Sequence, residues 1–175
     1  MAKDNHELIT PSPAQFAGCD GFAMRTGDSF ALVGRVLLGW LFFISGWAHL
    51  GGVAGFTGYL TALKVPAPEF FAWLATAAEL VIGVTLILGV ATRYGALLGV
   101  VFLIVATALA HRYWEYPAAK QMGQYGNFLK NLSTGGGLLL LFVTGAGRFS
   151  VDGWLRGEGL EVEGYRHVPE GATDR

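Results

Sequence analysis

The run FALVGRVLLGWLFFISGWAHL, Phe30–Leu50, decides the fold. It is as long as the ~20 mostly apolar residues that an α-helix needs to cross a bilayer. Only Arg35 and His49 within it can carry charge. Three further stretches, Phe70–Val90, Tyr94–Ala110 and Phe128–Gly145, meet or approach that length. Lipid is therefore the solvent for this chain. The four stretches predict an all-α, integral membrane four-helix bundle with polar N- and C-terminal tails. The expected division is an N-terminal tail over 1–28, a transmembrane domain over 29–147 and a C-terminal tail over 148–175.

Composition points the same way. The chain is 53% hydrophobic and 14% charged, where soluble domains carry about 25% charged residues. Its net charge of −1 argues against nucleic acid, because there is no basic patch to neutralise phosphates. The single cysteine, Cys19, excludes an intrachain disulfide and any CxxC redox pair. Residues Met1–Asp28 are polar and broken by Pro11 and Pro13. They read as a tail without a signal peptide, which leaves the first helix as the insertion signal.

Basic residues set the expected orientation. Arg25, Arg93 and Arg148 hug the helix ends on one side, with Lys3, Arg156, Arg166 and Arg175 beyond them. The other side receives Lys64, Arg112, Lys120 and Lys130. The positive-inside rule then places both termini in the cytoplasm. The outer side carries two longer loops, Gly51–Glu69 and His111–Asn127. Trp47, Trp73, Tyr113, Trp114 and Tyr116 form an aromatic belt there, while Trp40 lies near the middle of the first helix. Glycines are abundant, at 26. The Gly95–Gly99 pair and the Gly135–Gly136–Gly137 run are expected to let helix backbones approach closely in lipid.

Function is to be sought in polar side chains placed where lipid disfavours them: Arg35, His49, Glu79, His111, Lys130 and Asn131. Glu79 lies about 16 Å from the near end of the second helix, by helical rise. Arg35 enters the first helix from the same side, at an expected depth offset of ~8 Å. Two readings stay open. One is a structural Arg35–Glu79 ion pair, and the other is a carboxylate that handles protons or binds a ligand.

His49 and His111 close the outer ends of the first and third helices, and Lys130 and Asn131 open the fourth at that level. They are either interface-seeking side chains or one outer-leaflet site for a headgroup, quinone or substrate. A quinone there would take hydrogen bonds from His49, Lys130 and Asn131. Trp47, Trp114, Tyr59, Phe71 and Trp73 would line the tail channel. Glu79 and His111 are the candidate catalytic groups. HExxH and ExxH spacings are absent, so no metal site is expected. The Gly145–Ala146–Gly147 run follows a membrane helix rather than a strand, so it is no dinucleotide loop. There is no cofactor motif.

The chain resembles the DoxX family of membrane proteins. The matching landmarks begin with Gly34-Arg35-Val36-Leu37-Leu38-Gly39, Ser45-Gly46-Trp47-Ala48-His49, and Glu79 with Gly83. Leu88-Gly89, Thr92-Arg93, His111, Lys130-Asn131-Leu132 and Gly135-Gly136 follow in order. The last is Gly145-Ala146-Gly147-Arg148-Phe149-Ser150-Val151-Asp152. The resemblance covers about Phe30 to Trp154, and the family pattern often has lysine where His49 stands. It implies a multi-pass protein of the prokaryotic cytoplasmic (inner) membrane. Related proteins include the DoxD part of archaeal thiosulfate:quinone oxidoreductase, and others are proposed to sit in membrane oxidoreductase assemblies.

Two main function classes follow. One is a quinone-linked oxidoreductase, or its small membrane subunit, favoured by the convergence of His49, His111 and Lys130. The other is a non-catalytic assembly or anchoring subunit of a larger membrane complex. The small size, the lack of a redox ligand set and the two polar tails favour it. A small-molecule transporter is a third, lesser reading. The expected partners are membrane lipid and other subunits of such a complex.

Overall fold

Pro68 shows how local chemistry sets the helix boundaries. Proline is favoured in a helix's first turn, where its missing N–H costs nothing, and α3 begins there and runs Pro68–Leu88. It ends at Gly89, whose φ of +70° is the left-handed conformation that glycine adopts freely. α4 follows almost at once, over Thr92–Ala110. So short a connection makes α3 and α4 antiparallel neighbours. In this computed structural model, which describes residues 17–157, the other long helices are α1, Ala17–Gly51, and α5, Ala118–Thr144. A short helix α2, Val53–Ala62, follows α1. A single 3-10 turn, Tyr113–Glu115, links α4 to α5, and a five-residue α6, Val151–Leu155, follows α5. Every regular element among the described residues is helical.

The chain is thus an all-α membrane protein. Among the described residues, three segments are long and apolar enough to cross a bilayer: Thr26–Gly51, Pro68–Leu88 and Thr92–Glu115. The fourth helix, α5, has the length, with 27 residues, but Lys120, Gln121, Gln124, Lys130 and Asn131 lower its apolarity.

Three boundaries differ from the sequence expectation. α1 begins at Ala17, inside the segment expected as tail. The first outer loop contains α2, which packs on α3. α5 begins at Ala118, ten residues ahead of the apolar run, because Pro117 caps strong helix formers. Much of each expected tail, residues 1–16 and 158–175, lies outside the described residues.

α1 packs along α3, α3 along α4 and α4 along α5, while α1 and α5 meet only over a short stretch. The core is small: Phe42, Ile82, Leu86, Ala96, Leu103, Leu138 and Leu141. An edge-to-face contact of Phe42 with Phe102 ties α1 to α4 across it. Outward faces stay apolar, with Leu37, Leu140 and Val143 at 65–72% exposure. Water would penalise such faces and lipid does not.

Glycines set the approach of α1 to α3. A Cβ on Gly83 would stand 2.7 Å from the Phe43 backbone. One on Gly39 would stand 2.9 Å from the Gly83 carbonyl, and one on Gly46 2.9 Å from Leu80. The Gly95–Gly99 pair packs as expected, Gly95 against Thr85 of α3 and Gly99 against Leu138 of α5. The Gly135–Gly137 run behaves differently. Gly137 touches Leu38, but nothing lies over Gly135 or Gly136.

Candidate functional site

Ser45 and His49 are four residues apart on α1, so they share one helix face. The glycine-mediated contact of α1 with α3 brings that face against Glu79. Ser45 Oγ donates to Glu79 Oε1 at 2.7 Å. His49 Nδ1 lies 2.7 Å from Glu79 Oε2. Both carboxylate oxygens are therefore engaged. The Glu79 side chain is only 6% exposed and that of His49 is 31% exposed. The imidazole stacks on Phe56 of α2, with centroids 3.9 Å apart and planes at 4°. A carboxyl group in the protein interior is thus joined, through one ring, to the α2 end of the bundle. Which ring nitrogen carries the hydrogen decides whether Nδ1 donates to or accepts from Glu79 Oε2.

Arg35 does not pair with Glu79. Its guanidinium lies against Gly89, and Nη2 donates to the Phe149 carbonyl at 2.7 Å. The reason is register. Gly46 lies opposite Glu79 and Leu80, and Arg35 is eleven residues back along α1, or about 16 Å by helical rise. The expected offset was half of that. Arg35 is 2% exposed, and its Nε and Nη1 have no hydrogen-bond partner.

The remaining candidates form separate contacts. His111 Nδ1 lies 2.9 Å from Gln124 Oε1. Asn131 is buried and donates to Thr107 Oγ1 at 3.0 Å. Lys130 is exposed on α5. Trp47 stacks on Phe43 along α1, whereas Trp114 joins Tyr113 and Phe128 near the start of α5. Tyr59 hydrogen-bonds Tyr116, and burial followed by that contact pushes its hydroxyl up to about 12. Phe71 and Trp73 are exposed. Of the expected set, the structure brings only His49 and Glu79 into contact. Ser45, Gln124, Thr107 and Phe56 are contact residues to which the sequence alone assigned no role.

The opposite end is closed by the segment after α5. Asp152 accepts from the backbone N–H of Ala91 at 2.8 Å and of Thr92 at 2.9 Å. These are the unpaired donors at the start of α4, and Ala91 supplies no side-chain cap of its own. Asp152 N–H in turn donates to the Gly89 carbonyl at 2.9 Å. Burial on its own pushes the Asp152 carboxyl up, but the backbone donors of Thr92 and Ala91, with Arg156 nearby, hold it below its ordinary value. Ser150 caps α6 by accepting from Gly153 N–H. Asp28 Oδ1 accepts from Arg148 N–H, which ties α1 to the same segment.

The DoxX family's model matches residues 30–112. Inner membrane protein YphA of Escherichia coli strain K12 is 31% identical over 121 residues, which are 69% of this chain and 86% of the relative. Inner membrane protein YqjF of the same strain is 34% identical over 125 residues, 71% of this chain and 91% of the relative. No solved structure matches. Both relatives are inner membrane proteins by name, and they align over most of their own length.

Proposed function

Because the chain belongs to the DoxX family of membrane proteins, we propose that it is a small subunit of a quinone-linked inner-membrane complex and that Glu79 and His49 carry its proton. One observation supports this reading above the others: a buried carboxyl with both oxygens hydrogen-bonded, one of them to a partly exposed imidazole. Quinone reduction takes up protons together with electrons. A carboxyl–imidazole pair can hold one proton inside the bundle and exchange it at the outer end. Ser45 fixes the carboxylate orientation, and Phe56 fixes the imidazole plane. His111, Asn131 and Lys130 offer donors to a quinone head at the same level, from α4 and α5. The electron donor and electron path belong to partner subunits.

Arg93, Arg148 and Arg156 gather at the Asp152 end, which supports placing that end, and both termini, in the cytoplasm.

A second reading is an assembly or anchoring subunit. The open space over Gly135 and Gly136 favours it, since small residues on a lipid-facing helix suit a close partner helix.

The test is to purify the complex from membranes with its native quinone and measure quinone-dependent turnover. Glu79→Gln and His49→Phe are each expected to lower turnover about 10²-fold, the usual scale of a general acid–base group, with the bundle still folded. Full turnover in both variants would leave the anchoring reading in place.

A further inference from the structure

The Asp152 end carries a feature that proton handling does not use. A cleft of about 610 Å³ opens between the α3–α4 turn, the α1 N-terminal part and the segment after α5. Its charged lining is Arg93, Arg148, Arg156, Asp28 and Asp152. Asp152 accepts from Ala91 and Thr92 with Arg156 nearby, Asp28 accepts from Arg148 N–H, and Arg93 Nη2 donates to the Val143 carbonyl at 3.3 Å. Three guanidinium groups against two carboxylates leave the lining with one net positive charge.

Beside it lies a second hollow of about 230 Å³ along the loose α1–α5 seam. Its walls are apolar or small: Ala31, Gly34, Leu38, Gly137 and Leu141. Thr144 lines both spaces, so the two adjoin. Arg35 stands in the wall of the groove, 2% exposed, with Nε and Nη1 unpartnered. Buried N–H donors of a charged group are costly to leave unpaired.

We propose that these adjoining spaces hold one anionic phospholipid, its phosphate diester in the arginine cleft and an acyl chain in the α1–α5 groove. Each part answers one feature. The net positive lining suits a phosphate, which arginine recognises through paired N–H donors. A narrow apolar groove open to the membrane suits a hydrocarbon chain. Lipid seated there would fill the seam where α1 and α5 pack least.

Retention of lipid by the purified full chain tests this, read by native mass spectrometry from nanodiscs of dioleoyl phosphatidylglycerol mixed equally with dioleoyl phosphatidylcholine. The expected result is about tenfold preference for the phosphatidylglycerol, because both lipids bring the phosphate but only phosphatidylcholine brings a choline cation against the positive lining. The double variant Arg93→Gln/Arg156→Gln should abolish the preference. Gly34→Leu should lower retention of either lipid. A Cβ at Gly34 meets nothing within 4 Å, so the larger side chain enters the groove without displacing a neighbour. Circular dichroism of each variant verifies the helices. Equal retention of the two lipids would overturn the proposal. Displacement of phosphatidylglycerol by millimolar glycerol phosphate, together with no effect of Gly34→Leu, would also overturn it, leaving a site for free phosphate.

Discussion

The two ends of the bundle satisfy their carboxylates in opposite ways. At the α2 end, Glu79 is paired by residues on a neighbouring helix, and the pair includes a titratable ring that reaches the surface. At the other end, Asp152 and Asp28 accept from backbone N–H groups at least 60 residues away in sequence, and Arg35 donates to a backbone carbonyl. Backbone partners cannot titrate, so that end locks the fold. A carboxyl–imidazole pair can exchange a proton, so the α2 end is suited to chemistry. The contrast is between titratable and fixed partners, and substitutions at the two ends should differ in whether they reach turnover as well as stability.

The largest stability effect is expected where one member of the Glu79–His49 pair is lost. His49→Phe leaves the buried Glu79 with Ser45 as its one remaining side-chain partner, and thermal unfolding in detergent should show a loss of about 3 kcal/mol. The double variant His49→Phe/Glu79→Gln should recover most of that, because no uncompensated charge remains. If the double variant is no more stable than the single one, the pair is not the source of the effect. Next in size is Gly83→Ala, whose methyl would press on the Phe43 backbone. A cost of about 1–3 kcal/mol is expected from overpacking. An unchanged melting curve would contradict the tight α1–α3 contact.

Asp152→Asn should cost about 1 kcal/mol, the usual scale of a lost helix cap. Its pH dependence is diagnostic. The folded Asp152 carboxyl titrates below the ordinary aspartate value, which is about 3.9. The stability it contributes is therefore complete above that ordinary value and is lost as pH falls through the folded one. The gap between native chain and variant should be constant near neutrality and close in acid. A gap that widens in acid would mean that Asp152 is not held as the anion. Smallest of all, Gly136→Ala should change monomer stability by less than about 0.5 kcal/mol, because open space lies over it. A larger loss of complex assembly than of monomer stability in that variant would favour the anchoring reading.

Orientation is tested separately. In a Cys19→Ser background, a maleimide added outside the cell should label Lys120→Cys and miss Arg156→Cys. The reverse pattern would turn the bundle over and place the Glu79–His49 pair at the cytoplasmic face.

The four long helices were legible in the sequence because apolar runs of bilayer length are penalised in water and satisfied in lipid. Glu79 stood out for the same reason, as a carboxylate inside such a run. The role of Gly95 and Gly99 was legible from spacing alone. The partner of Glu79 was not. Pairing across two antiparallel helices depends on their register, which Gly39, Gly46 and Gly83 set by contact, and a slide along the helix exchanges Arg35 for His49. The four-residue spacing of Ser45 and His49 was a usable signal, since it puts both on the face that meets α3. The Asp152 cap left no local trace, because its donors lie 60 and 61 residues earlier. His111 and Lys130 were grouped with His49 by depth alone, and depth says nothing about which helices are neighbours.

The most direct test of proton handling is an infrared difference spectrum of the purified complex, taken between oxidised and reduced quinone. If Glu79 carries the proton, the spectrum shows a change in the carboxyl C=O region. That change disappears in Glu79→Gln and shifts in Ser45→Ala, where one hydrogen bond to the carboxyl is removed. A difference spectrum identical in the native chain and in Glu79→Gln would contradict a proton-carrying role for Glu79.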